Sequence, residues 1–246
     1  MPMNKQSGKS NMYPWITDTW NPIRGQCPHK CAYCYVHPNQ GIFRLVPKEM
    51  KTDLGQGNFI FLGSSTDMFA DRISADWILQ VLKYCRLFDN QYLFQTKNSA
   101  RFLEFMSRFP ERTTLGTTIE TNRYQTRPVR SGSLGLFPTE QEGFISISSA
   151  PSLPQRASAM ELVSKAGSKV GLSIMITLEP IMEFDLDVMV KWMEAIAPDF
   201  VNIGADSKGH HLPEPSWSEI QKLIEELSRF TEVRKKPNLS RLRKAS

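Results

Sequence analysis

Short apolar runs alternate with amphipathic stretches along almost the whole chain, and this alternation restricts the fold more than any other property of the sequence. Phe59–Leu62 is an apolar run that ends in Gly63-Ser64-Ser65. From about Ser74 the residues Ile78, Val81, Leu82 and Cys85 recur at helical spacing. Residues 92–95 predict a further strand, and the helix after it buries Phe102, Phe105, Met106 and Phe109 before Pro110 stops it. Strands are predicted at 114–119, 172–178 and 200–203. Helices are predicted from about Gln155 to the Gly167 cap, from Asp185 to Pro198, and from the Ser216/Glu219 capping box onward. A first strand at 17–23 and a short helix after Cys31 complete six βα units. Such alternation predicts an α/β fold with a parallel sheet and outer helices, open or partly closed into a barrel. In either form the chemistry belongs at the C-terminal ends of the strands.

Residues 123–154 do not fit this rhythm. They separate a strand from its helix by far more than the usual few residues. An insertion at about 124–150 is expected, as a lid, a hairpin or a disordered excursion. Residues 1–12 are expected as a flexible N-terminus, 13–233 as the α/β domain and 234–246 as a basic tail. Charge supports the last boundary. The chain has 30 Lys+Arg against 25 Asp+Glu, and from Arg234 onward there are six basic residues and no acid. Without that tail the balance is 24 to 25, a near-neutral body. A body that coats nucleic acid by charge alone is excluded. No apolar run approaches the roughly 18–20 residues of a membrane span. The polar start lacks the apolar core of a signal peptide, so a cytoplasmic location and no membrane partner are expected.

Three of the four cysteines crowd into Cys27-Pro28-His29-Lys30-Cys31-Ala32-Tyr33-Cys34, a C-x3-C-x2-C array. In a cytosolic chain such crowding reads as a metal or cluster site. Three soft thiolates on a four-iron cubane leave one iron without a protein ligand, which is the open position that substrate-binding metal sites need. The competing reading is a closed structural zinc site with His37 as fourth ligand to Cys27, Cys31 and Cys34. The array lies between the first strand and the next helix, at the catalytic end of such a fold.

The C-x3-C-x2-C array with an aromatic residue before the last cysteine resembles the signature of the radical S-adenosylmethionine (SAM) superfamily. That resemblance implies a partial (βα)6 TIM-like barrel and a [4Fe-4S] cluster held by Cys27, Cys31 and Cys34. It implies that the cluster's free iron chelates SAM, whose reductive cleavage yields methionine and a 5′-deoxyadenosyl radical. It also implies a flavodoxin- or ferredoxin-like electron donor. By the same resemblance Tyr33 packs on or near the adenine. The Gly63-Ser64-Ser65-Thr66-Asp67 turn stands where the superfamily places a Gly-Gly-Glu-like contact to the methionine amino group, with Ser64, Ser65 and Asp67 as its candidates. A solvated strand-to-helix turn is the plainer reading.

Lys97 follows a strand and can pair with the SAM carboxylate as a point charge. Thr96-Lys97 resembles the same position of spore photoproduct lyases. Thr118 and Glu120 share one face of their strand and can reach the ribose or carboxylate of SAM, or else form a hydrogen-bonded polar core. Glu179-Pro180 and Asp206-Ser207-Lys208 sit at the same rim as weaker substrate or ribose candidates. Asp71 and Arg72 read as loop polarity, His210-His211 as a loop, and Cys85 as a packed thiol. Thr19-Trp20-Asn21-Pro22, the run from Leu115 to Asn122, Leu178-Glu179-Pro180 and the run from Asn202 to Lys208 also resemble an uncharacterised family of phage and bacterial radical SAM proteins. The expected function is a radical SAM enzyme acting on an unnamed substrate. Nucleic acid comes first, from the basic tail and Thr96-Lys97, with peptides and small metabolites open. The competing class is a non-catalytic binding protein with a structural zinc or iron–sulfur site.

Overall fold

The computed structural model describes residues 3–5, 11–36, 41–123, 126–128 and 144–244. Strand β1 (Asn4–Lys5) pairs antiparallel with β2 (Asp18–Trp20). A small ribbon of β3 (Ile23–Arg24) and β4 (Arg44–Leu45) follows. Next come β5 (Phe59–Leu62), helix α1 (Ala75–Cys85), β6 (Gln91–Thr96), a 3-10 helix (Ser99–Arg108) and β7 (Thr113–Thr118). A second antiparallel ribbon, β8 (Thr126–Pro128) with β9 (Phe144–Ser146), interrupts the order. The chain then runs through α2 (Leu153–Ser168), β10 (Ser173–Leu178), α3 (Leu186–Ile196), β11 (Phe200–Ile203), α4 (Trp217–Leu227), β12 (Glu232–Lys235) and α5 (Ser240–Lys244).

The main sheet has the order β1-β2-β5-β6-β7-β10-β11-β12. From β2 onward every neighbouring pair is parallel. The six expected strands are all present, and β12 adds a seventh parallel strand. The hydrogen-bonded order is linear: among the described residues β1 and β12 do not pair. The helices cover one face over a core that includes Ile60, Leu62, Phe94, Leu115, Ile176 and Val201. Helix periodicity explains why α1 buries Ile78, Val81, Leu82 and Cys85.

The opposite face curves round the N-terminal segment. The Trp15 ring lies 4.6 Å from Phe59 on β5 and 5.6 Å from Phe200 on β11. Three strands separate those two, so in a flat sheet they would stand about 19 Å apart. Tyr13 Oη bridges β6 and β10, at 2.8 Å from both Gln95 Oε1 and Thr177 Oγ1. Tyr13, Ile16, Phe61, Leu93, Met175 and Phe200 form a second, inner core.

Three expectations differ from what is seen. Among the described residues directly after Cys31 there is no helix; the loop makes only single turns of its own, Lys30 N to Cys27 O and Cys34 N to Cys31 O, while Ala32 N donates to Ile147 O and Ser149 N donates to His29 O, binding it to a neighbouring segment. The segment expected as a basic tail opens inside the sheet as β12, and Leu239 and Leu242 join the core. Of the N-terminal residues expected to be flexible, Asn4 and Lys5 form a strand. The expected insertion contributes the β8–β9 ribbon, and 124–125 and 129–143 lie outside the described residues.

Candidate functional site

All the βα turns of the sheet open on one side, and a cavity of about 450 Å3 lies there. Its wall includes Cys27, Cys31, Cys34, Tyr33, Ser64, Ser65, Asp67, Lys97 and Thr118. The Glu179-Pro180 and Asp206-Ser207-Lys208 turns face the same space. Glu120 is the exception among the sequence candidates. It is fully buried and stands behind the wall.

The cysteine loop crosses the ends of β2 and β5. His29 Nε2 lies 2.9 Å from Asp67 Oδ2. That carboxylate also accepts from Thr96 Oγ1 at 2.9 Å and from the Lys97 amide at 2.8 Å. Burial works to raise the Asp67 pKa, but His29 and these donors win and lower it. The turn before it needs Gly63, whose φ is +71° and where a Cβ would stand 2.9 Å from Thr66 O. Asn21 locks the same turn, since its Oδ1 accepts from Ser65 N and Ser65 Oγ at 3.0 Å each and from Ser64 Oγ at 3.2 Å.

The cysteines are free thiols; Cys27 and Cys31 are half-buried and Cys34 is exposed. Cys31 Sγ lies 3.2 Å from Ser148 Oγ. Burial, and next the Asp67 charge, pushes the Cys27 thiol up to about 12. Burial also raises Cys34. Among the described residues no three His, Cys, Asp or Glu side chains stand in a group that could hold a metal ion. His37, the zinc candidate, lies outside the described residues.

Behind the wall sits a charged cluster. Lys97 Nζ donates to Thr118 Oγ1 and Glu120 Oε1 at 2.5 Å each and lies 5.1 Å from the Tyr33 ring centroid. Tyr33 Oη donates to Glu120 Oε1 at 2.8 Å. Arg156 Nη1 reaches Glu120 Oε2 at 2.8 Å. Burial alone would raise the Glu120 pKa; Lys97 and Arg156 overcome it and hold the carboxyl well below the usual carboxylate range. Burial, with the Glu120 charge next, raises Tyr33, which keeps its phenol neutral and donating.

The far wall is also paired. Glu179 accepts from Asn11 Nδ2 at 2.7 Å and from Asn238 Nδ2 at 3.0 Å, and forms an ion pair with Lys236. A Cβ on Gly204 would stand 2.7 Å from Glu179 Oε1, so a larger residue here would push the Glu179 side chain aside. His210 Nδ1 lies 2.6 Å from Asp206 Oδ1. Lys208 Nζ donates to Tyr35 O at 3.0 Å.

No protein-family profile matches the sequence, and no curated protein matches it. Solved structures do match. The fold is similar to that of spore photoproduct lyase, a radical SAM enzyme. Against one single-residue variant of that enzyme the TM-score is 0.59 at 10% identity, over 94% of this chain and 80% of the other. A second variant gives 0.60 at 10% identity and the same coverage. A third, solved with bound AdoMet (SAM) and a dinucleoside spore photoproduct, gives 0.52 at 11% identity over 93% and 66%. At these identities the likeness is one of fold: mixed α/β with a mostly parallel sheet. The narrower likeness to a phage and bacterial family finds no support in these comparisons.

Several residues of the site are not singled out by the sequence alone. Asn11, Tyr13, His29 and Lys236 line the cavity, and Arg156 and Asn238 stand behind it. His29 carried a signal, since it lies inside the cysteine array. Arg156 carried none, because an arginine on an amphipathic helix ordinarily faces water.

Proposed function

We propose that the chain is a radical SAM enzyme in which Cys27, Cys31 and Cys34 hold a [4Fe-4S] cluster and the adjoining cavity takes SAM. The supporting observation is the meeting of three free thiols and the Lys97 ammonium on one cavity, at the C-terminal ends of a parallel sheet folded like spore photoproduct lyase. Three thiols carried on one loop are the donor type that such a cluster takes, and binding it would draw them together. Burial raises the Cys27 and Cys34 thiols, so ionising them as ligands would draw on the positive charge of bound iron. When bound, the cluster supplies the electron that cleaves SAM to methionine and a 5′-deoxyadenosyl radical.

The chain's own residues then hold, orient and exclude water. Lys97 offers a fixed ammonium to a carboxylate, and Thr118 steadies it. Ser64, Ser65 and Asp67 offer hydroxyl and carboxylate acceptors to an ammonium, in a turn already ordered by Asn21. Tyr33, Tyr13, Met12 and Phe61 supply apolar wall that keeps water from a reactive intermediate.

For the substrate the proposal is a nucleic-acid component, on the likeness to the structure that holds a dinucleoside. A flavodoxin- or ferredoxin-like protein is the proposed electron source. Anaerobic iron and sulfide reconstitution, followed by reduction with SAM present, tests the chemistry. Release of 5′-deoxyadenosine that depends on all three cysteines supports it; a colourless zinc protein that leaves SAM intact contradicts it. Incubation with oligonucleotide pools and mass analysis of the products tests the substrate class.

A further inference from the structure

Arg156 is 1% exposed and Glu120 0%. A helix arginine buried to this depth must have its charge answered, and Glu120 answers it at 2.8 Å. The remaining Arg156 bonds run to backbone. Nε donates to Pro151 O at 2.7 Å, and Nη1 donates to Thr118 O at 3.1 Å. One guanidinium therefore ties the end of β7 to the segment that precedes α2. Residues 147–149 of that segment are the ones that bind the cysteine loop, through Ala32 N to Ile147 O at 2.8 Å and Ser149 N to His29 O at 2.7 Å. Cys31 Sγ meets Ser148 Oγ in the same place. Tyr33, Ile147 and Met182 close a small apolar cluster beside it. Glu120 completes the connection from the other side, by accepting the Tyr33 hydroxyl between Cys31 and Cys34.

We propose that Arg156 is a positioning residue for the cysteine loop. It acts through Glu120 on the Tyr33 hydroxyl and through Pro151 on the segment 147–149 that meets the cysteine loop. The purpose assigned to it, presenting three thiols to a cluster, rests on the radical SAM reading; the connection itself can be tested on metal-free protein. An arginine is needed because only its planar fork can serve a carboxylate and two carbonyls at once. Removing it leaves Glu120 paired with Lys97, so the buried charge stays balanced while the loop loses its tie.

The test is alkylation of the metal-free full chain by iodoacetamide, with the rate at each cysteine followed by peptide mass spectrometry. Cys85, on the buried face of α1, serves as the internal reference for unfolding. Tyr33→Phe and Arg156→Gln should each raise the Cys31 rate by about tenfold through local opening, with Cys85 unchanged. The double variant should be no faster than the faster single, because both cut one chain of contacts. An unchanged Cys31 rate in either single variant overturns the proposal. If Arg156→Gln also exposes Cys85, that variant has unfolded and Tyr33→Phe, which deletes one oxygen, decides alone. Iron uptake by the unaltered chain is measured separately, so failure of the radical SAM reading is not mistaken for failure of this one.

Discussion

Glu120 is an acid where charge is costly, answered by two cations and a phenol. Breaking such a buried pair from one side leaves the other side uncompensated, which costs about 3–5 kcal/mol. Glu120→Gln leaves Lys97 and Arg156 without a counter-ion, so urea denaturation should show a loss of that order. The pH dependence has a definite sign. Glu120 titrates lower in the folded chain than in the unfolded one, where a glutamate sits near pH ~4.3. Its stabilisation is therefore present above that value and is lost as pH falls below it. Asp67, also lowered, contributes in the same direction. Unfolding midpoints should fall as pH drops below about 4, with a shallower slope in Glu120→Gln. Gly204→Ala tests the opposite wall. Its methyl would meet the Glu179 carboxylate at 2.7 Å, and overpacking of that kind costs about 1–3 kcal/mol. A variant as stable as the parent would show that Glu179 moves aside freely.

At the scale of elements, much was legible in the sequence. The six expected strands are parallel neighbours in the sheet, and α1, α3 and α4 follow directly on Ser74, Asp185 and Ser216, with the Ser216 side chain accepting from Glu219 N as its capping box requires. The seventh strand was not legible. Glu-Val-Arg-Lys has one apolar residue, and its place in the sheet comes from pairing with β11, which a local pattern cannot show. That error carried over to charge. Arg234 stacks 3.6 Å from the Phe200 ring centroid, Lys236 pairs with Glu179, and Arg241 pairs with Glu214. The supposed tail is thus partly structural, and a chain ended at Glu232 loses β12 with it. We expect that truncation to lose its cooperative thermal transition, whereas Lys235→Glu with Arg243→Glu, both on exposed side chains, keeps it. Retained nucleic-acid binding in the double variant would remove the basic segment from any account of the substrate.

For the molecule as a whole, the cysteine array and the strand ends pointed to the side where the candidate residues now line one cavity, because a parallel sheet brings every βα turn to one side. What the sequence could not show were long-range ties: Arg156 to Glu120, Asn11 to Glu179, His29 to Asp67. Each joins residues far apart in the chain, and no local pattern pairs the two partners. Among the described residues no helix is long and apolar enough to cross a membrane. The central claim is that the three thiols at the cavity hold a cluster that cleaves SAM. The most direct measurement is 5′-deoxyadenosine formed per chain by anaerobically reconstituted protein with dithionite and SAM. The account predicts a brown protein with about four irons per chain, steady release of 5′-deoxyadenosine, and none when Cys27, Cys31 or Cys34 is replaced by Ala. Iron-loaded protein that leaves SAM intact, or release that survives those replacements, would contradict it.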